Sequence, residues 1–429
     1  MTGLIPTHRK DHMIQRHRRA IAALSLGLAA GLGLAACSAP GGAGSDADTA
    51  AAPEAGATNA PAAQPRVVTT YDGGLLVLDA GTLEVQADIP LEGFVRVNPA
   101  GDGRHVLVST ADGFQVLDTG AWTTPDGEHH VGEPELTDLV FDAPTPGHVV
   151  RHGEKTILFS DGTGETTVFD TADLLTASED GALPEIERIP APDAHHGVSI
   201  ELEDGTLLTT IGDSDSRTGV RVLDADRAEI ARSEECPSVH GEGTVQDEVA
   251  VFGCSDGVLV YADGAFTKLT APDDYGRTGN AYVSDESSVM VGDYNDDPDA
   301  EGSLLTDLTV VDTSSMTSSI VALPEGVSYT WKGVVRTDAD TAVLIGTDGA
   351  LHELDVATGD VTASHPVIGA WEGPAEWQDS HPSLVVSEGV AYVSDAAASE
   401  LHAVDVASGE VLASASLPGV PNELAVVTG

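Results

Sequence analysis

The chain has 429 residues and carries 70 Asp and Glu against 19 Lys and Arg, a formal net charge of −51. So acidic a surface repels phosphate backbones and anionic lipid headgroups and concentrates cations, which sets nucleic-acid binding aside. Aromatic residues make up 4 % of the chain, too few for a stacking platform that binds carbohydrate or single-stranded nucleic acid.

Residues 1–36 read as an export signal. Arg9, Lys10, Arg16, Arg18 and Arg19 form a basic head, Ala20 to Leu32 a short apolar run, and Leu34-Ala35-Ala36 lead into Cys37. The apolar run is too short to span a membrane comfortably, and small residues mark the cleavage point. Cysteine directly after Leu-Ala-Ala is the pattern of a bacterial lipoprotein. Cys37 is therefore predicted to become the lipidated N-terminus of an extracytoplasmic protein anchored to the cell membrane; a secreted, soluble protein is the alternative. Loss of residues 1–36 removes five basic residues and one acidic residue, leaving 14 against 69 and a formal charge of −55. Residues 37–65 are mostly Ala, Gly, Pro, Ser and Asp without an apolar period, the composition of a flexible tether.

From residue 66 to 429 no helical period is sustained, and short runs of Val, Leu, Ile and Thr alternate with turn signals, which predicts an all-β domain. One strand recurs with an apolar-apolar-Asp ending, at Asp79, Asp118, Asp170, Asp224, Asp312, Asp355 and Asp405, and a degenerate copy ends at Asp263. Eight units spaced by about 39 to 54 residues fit the four-stranded blades of a β-propeller. Asp-Gly turns at Asp72, Asp112, Asp161, Asp256 and Asp348 precede these strands, with glycine expected at positive φ. Each blade thus reads as inner strand, second strand, Asp-Gly turn, apolar-Asp strand and outer strand. Arg66-Val-Val-Thr-Thr-Tyr71 looks like a second strand without an inner one, and Glu423-Leu-Ala-Val-Val427 like an inner strand without a blade. Pairing them closes a ring of eight blades and removes the exposed sheet edges; seven blades follow if the degenerate unit is an insertion.

Four histidines, His148, His196, His240 and His381, stand at the segment leading into the inner strand of the third, fourth, fifth and eighth units. Equivalent positions elsewhere hold Phe94 to Arg96, Asn280 and Trp331-Lys332. Imidazoles in register on separate blades converge on a channel, and three of them with a carboxylate or water suit Zn²⁺. Asp193, Glu242 and Asp379 are the nearby carboxylates, and His195 is the alternative to its neighbour His196. The eighth blade lies nearly opposite the fourth, so His381 either leans across or belongs to another site. Taken singly, each of these histidines also reads as an ordinary hydrogen-bonded loop residue. His129-His130 lie in an acidic loop suited to weak metal binding, His105, His352 and His402 read as structural, and His152 and His365 carry no pattern.

Cys236 and Cys254 flank the His240 strand. Outside the membrane they are expected to pair and clamp that unit; a thiolate pair on a metal is the other reading. No Gly-rich phosphate cradle, nucleophile elbow or His-Glu-x-x-His is present, and carboxylates are too many to single out an acid/base pair.

The histidine set, the lipoprotein signal, Cys236-Pro-Ser-Val-His240-Gly-Glu242 and Phe252-Gly-Cys-Ser-Asp-Gly-Val-Leu259 together resemble the AztD family of zinc metallochaperones, over essentially all of residues 66–429. The resemblance implies a propeller with a channel zinc site built from histidines, a Cys236–Cys254 disulfide, no catalysis, and delivery of Zn²⁺ to the solute-binding protein of a zinc ABC transporter. The chain is read as a monomer. The family's histidine-rich mobile segment has no counterpart, because residues 38–65 lack histidine and hold only Asp46, Asp48 and Glu54 as acids. Two other functions fit the same sequence: a cell-surface scaffold propeller without metal, and a metal-assisted hydrolase of lactonase type.

Overall fold

Residues whose side chains alternate between two buried faces give near-continuous apolar strands, and the second and third strands of every unit are of this kind. The computed structural model describes residues 57–300 and 304–429. The expected export signal, Cys37 and the expected tether as far as residue 56 lie outside the described residues. Eight antiparallel sheets follow one another, each containing four strands side by side, and blade 5 gains a short parallel strand at Gly276–Arg277. The inner strands of blades 2 to 8 are Val97–Pro99, Pro146–His152, Ser199–Glu201, His240–Val245, Ala281–Tyr282, Val334–Arg336 and Leu384–Ser387. In blade 1 the inner strand is the C-terminal Leu424–Val427, paired with Arg66–Tyr71 in the register Arg66↔Val427 to Thr69↔Leu424.

Alternation explains how the sheets stack. Leu75 and Val77 enter a cluster shared with blade 2, whereas Leu76 and Leu78, on the other face of the same strand, enter one shared with blade 8. Eight apolar clusters join neighbouring blades in this way, one for each junction of a closed ring. The recurrent aspartate has a local cause. Asp79 Oδ1 accepts from the backbone N–H groups of Gly81 and Thr82 at 3.1 and 2.9 Å, and Asp312 and Asp405 accept likewise from Ser314 and Ser408. The carboxylate caps the turn into the outer strand. At the degenerate copy the chain turns instead through Asp263 and Gly264, φ 50° and 79°, the two-residue link that needs positive φ at both positions.

Three features depart from the sequence reading. Thr58–Ala60, within the expected tether, forms a strand paired with His129–Val131, so ordered structure begins eight residues before the expected boundary at 66. That hairpin, Ala121–Thr123 with His129–Val131, is an excursion between the third and outer strands of blade 2. A single α-helix among the described residues, Thr171–Glu179, follows Asp170 and buries Leu174. Of the five Asp-Gly turns, only the one at Asp161 lacks a positive-φ glycine; a Cβ on Gly162 would lie 2.5 Å from the Pro144 carbonyl, so close approach is what glycine serves there.

Cys236 and Cys254 form a disulfide, both sulfurs buried in the cluster between blades 4 and 5. It ties the segment before His240 to the end of the second strand of blade 5. The bridge closes a loop of sequence separation 18, for which the chain-entropy relation gives about 3 kcal/mol. Replacing both cysteines by serine is expected to lower the unfolding free energy by about that amount in denaturant titrations, and labelling of the denatured, non-reduced protein is expected to find no free thiol at either position.

Candidate metal centre

The histidine-bearing strands begin with irregularities that glycine makes feasible. Between Pro146 and His148, and again between His240 and Glu242, the ladder slips by one residue, a bulge that re-aims the neighbouring side chain. The extra residues are Gly147 and Gly241. A Cβ on Gly147 would overlap the carboxylate of Asp161; Gly241 has φ 67°, and a Cβ there would stand 2.6 Å from the Gly279 carbonyl carbon. His196 lies in the loop before Ser199–Glu201, followed by Gly197, where a Cβ would overlap the Thr210 hydroxyl.

These bends bring three imidazoles together. One ligand atom from each of His148, His196 and His240 lies within 4.8 Å of the other two, and the ring centroids are 5.0 to 5.1 Å apart. Every Nδ1 is already engaged. His148 Nδ1–H donates to the Gly197 carbonyl at 2.8 Å, His196 Nδ1–H to Asp161 Oδ2 at 2.6 Å, and His240 Nδ1–H to the Gly279 carbonyl at 2.5 Å. With Nδ1 protonated, each neutral ring keeps its lone pair on Nε2, the state and orientation that second-shell acceptors impose on metal-binding histidines. Burial pushes His148 and His240 below the ordinary imidazole range, strongly so for His240; the Glu242 carboxylate partly opposes this at His148, and the His148 charge adds to it at His240. Three imidazole nitrogens, borderline donors, brought together in this way match Zn²⁺. His196 alone is substantially open, with 46 % of its side chain exposed.

The other candidates are placed as follows. His195 is buried against Phe159; its Nδ1 donates to the Asp193 carbonyl at 3.0 Å and its Nε2 accepts from the Thr210 hydroxyl at 3.0 Å, which leaves neither nitrogen for the cluster. Asp193 contributes its backbone there. Glu242 lies two residues beyond His240 and acts on His148 through its charge, outside the converging atoms. His381 also lies outside the group. It is buried in blade 8, donates Nδ1–H to the Asp379 carbonyl at 2.7 Å and faces Trp371, while the Asp379 carboxylate accepts from Glu376 N–H. Its half of the ring carries fixed charges instead: Glu423 pairs with Lys332 at 3.1 Å and with Arg96 at 3.4 Å. His129 bonds Thr123 and His130 stacks on Trp122 within the excursion. His105, His352 and His402 bond Asp102, Ser364 and Ser414. His152, patternless in the sequence, joins three blades: its Nε2 meets Glu248 at 2.7 Å, whose other oxygen accepts from Glu203 N–H.

Asp161 is the site residue that sequence reading missed. It sits in an Asp-Gly turn like four others, and only its place opposite Gly147 and His196 distinguishes it. The available signal was the pair Gly147-His148 with Asp161 at the end of the adjoining strand, because turns between second and third strands share a face with the segments leading into inner strands.

Fold and cluster together define a β-propeller-like protein of eight successive sheets, each with four strands side by side, in which three histidines from consecutive sheets converge. No family model matches the chain. It resembles the zinc chaperone AztD of Citrobacter koseri, with 23 % identity over 340 residues, 76 % of this chain and 75 % of that protein. Two solved structures of Citrobacter koseri AztD, one of them the apo form, share its fold with a TM-score of 0.70, at 19 and 20 % identity. They cover 87 and 85 % of this chain and 99 and 98 % of theirs. The dihydro-heme d1 dehydrogenase NirN in complex with DHE shares the fold more loosely, with a TM-score of 0.55 at 14 % identity over 86 % of this chain and 76 % of that one.

His381 supplies a pH test. Burial and the nearby Lys332 charge push its imidazole down to about 4, whereas an unfolded histidine protonates near about 6.5. The unfolded state therefore binds the extra proton first, and the native contribution is complete above about pH 6.5 and lost as pH falls toward 4. The stability difference between the wild type and His381→Asn is expected to shrink across that window in unfolding titrations at stepped pH.

Proposed function

We propose that the protein is an extracytoplasmic zinc metallochaperone. It takes up one Zn²⁺ on His148, His196 and His240 and passes it to the solute-binding protein of a zinc ABC transporter. It works as a monomer held at the cell membrane through lipidated Cys37. One observation carries the reading: three Nε2 atoms are left free by three separate Nδ1 hydrogen bonds, on rings whose ligand atoms lie within 4.8 Å of one another. Similarity to the zinc chaperone AztD of Citrobacter koseri supports zinc as the cargo and a chaperone rather than an enzyme.

The arrangement suits a carrier. A closed site of four protein ligands retains zinc, whereas three ligands with an open position let an incoming donor bind before the old ones leave. His196, on a loop and half exposed, is the ligand such a donor reaches first. The formal charge of −55 left after loss of residues 1–36 gathers cations around the protein.

Titration of apo protein against a chromophoric chelator is expected to find one tight zinc per chain. Alanine at His148, His196 or His240 should each weaken it at least about tenfold, while His381→Ala and His129→Ala leave it intact. Protons compete for Nε2, so affinity falls with falling pH. Because burial lowers two of the three imidazoles, the fall is expected to steepen only below about pH 6.5. With the solute-binding protein as acceptor, zinc should pass in the presence of competing chelator. Complete interception by the chelator would make the protein a zinc store and overturn the chaperone reading.

A further inference from the structure

We infer that Asp293 is a positioning residue for the metal centre: through a single peptide group of blade 6, its buried carboxylate orients the carbonyl that fixes His240. The inference rests on the zinc reading of the three histidines.

Blade 6 contributes no histidine, yet it supplies the acceptor for one. The Gly279 carbonyl that receives His240 Nδ1–H belongs to the planar peptide whose N–H is that of Asn280. That N–H donates to Asp293 Oδ1 at 2.9 Å, so one rigid unit has the carboxylate at its donor end and the metal-facing imidazole at its acceptor end. Asp293 Oδ1 also accepts from Gly279 N–H at 2.5 Å, and Oδ2 accepts from the Asn280 amide at 2.7 Å. The residue is 6 % exposed. Three donors on one buried carboxylate leave the peptide little freedom to rotate.

The inner strand of blade 6 is two residues long, Ala281–Tyr282, and begins after the peptide in question. Close backbone contact then transmits the setting. Gly241, the residue after His240, packs directly on Gly279, with no room for a Cβ between them. A negative charge at the N–H end also polarises the peptide, making its carbonyl a stronger acceptor and the Nε2 of His240 a stronger donor to a metal. At His148 the corresponding peptide is held by a neutral group, since Val198 N–H donates to the Thr210 hydroxyl at 3.1 Å, and at His196 Asp161 bonds the ring directly, so only His240 is set by a carboxylate acting through a peptide.

The test compares Asp293→Asn with Asp102→Asn. Asp102 is an equally buried carboxylate, in blade 2, that holds His105 through its backbone and side chain, away from the cluster. Zinc affinity is measured by chelator competition, geometry by the visible ligand-field spectrum of the Co²⁺-loaded protein, and folding by thermal unfolding. Asp293→Asn is expected to weaken zinc about tenfold or more and to alter the cobalt spectrum, with Asp102→Asn changing neither at a comparable loss of stability. Asn280→Ala, which spares both backbone bonds, is expected to give a smaller loss. Wild-type affinity and spectrum in Asp293→Asn would overturn the inference, as would equal weakening in both carboxylate variants. Wild-type protein that binds no zinc would instead overturn the metal reading on which it rests.

Discussion

Face-to-face packing of neighbouring sheets is the interaction on which everything else depends. Each blade buries apolar side chains on both faces, and the last junction is made only when Leu424–Val427 pairs with Arg66–Tyr71. Once the ring is closed, the first residues of every inner strand are held at a common radius. Convergence of side chains from blades 3, 4 and 5 is then a geometric consequence of closure, and no local motif has to create it. The disulfide and the His152–Glu248 contact secure the same sector at other points, between blades 4 and 5 and beneath blades 3 to 5.

Closure sets the radius; neighbours set the direction. Each of the three clustered imidazoles is aimed by an acceptor from outside its own blade: His148 by blade 4, His196 by blade 3, His240 by blade 6. Such a centre holds only while adjacent blades keep their register. This accounts for the glycines at 147, 197 and 241, where a Cβ would overlap the Asp161 carboxylate, the Thr210 hydroxyl and the Gly279 backbone. The two halves of the ring differ in kind. Imidazoles occupy one, and Arg96, Lys332 and Glu423 lock the other with charge. That charged half ties Lys332 of blade 7 and Arg96 of blade 2 to the residue preceding the closing strand.

Much of this was legible in the sequence because it is repeated. The Asp-terminated strands marked the blades, since a carboxylate capping a turn is a local device. The lead-in histidines stood in register for the same reason. What was not legible depends on contacts between blades. Adjacent His195 and His196 differ only in the direction of a loop, and Thr210 and Phe159 claim the first. His381 shares the alignment but not the sector: blade order already set it nearly opposite His196, and only its contacts with Asp379 and Trp371 show that it does not lean across. Asp161 was hidden among look-alike turns. Thr58–Ala60 forms a strand without an apolar period because its partner, the excursion of blade 2, supplies the backbone pairing.

The central claim is that these three imidazoles, and no other group, hold the cargo. Anomalous diffraction from crystals of the zinc-loaded protein, recorded on both sides of the zinc absorption edge, tests it most directly. The account predicts one strong peak at the channel mouth, at about 2.0–2.1 Å from Nε2 of His148, His196 and His240. A principal peak at His381, at His129-His130 or on surface carboxylates, with the three rings unoccupied, would contradict it.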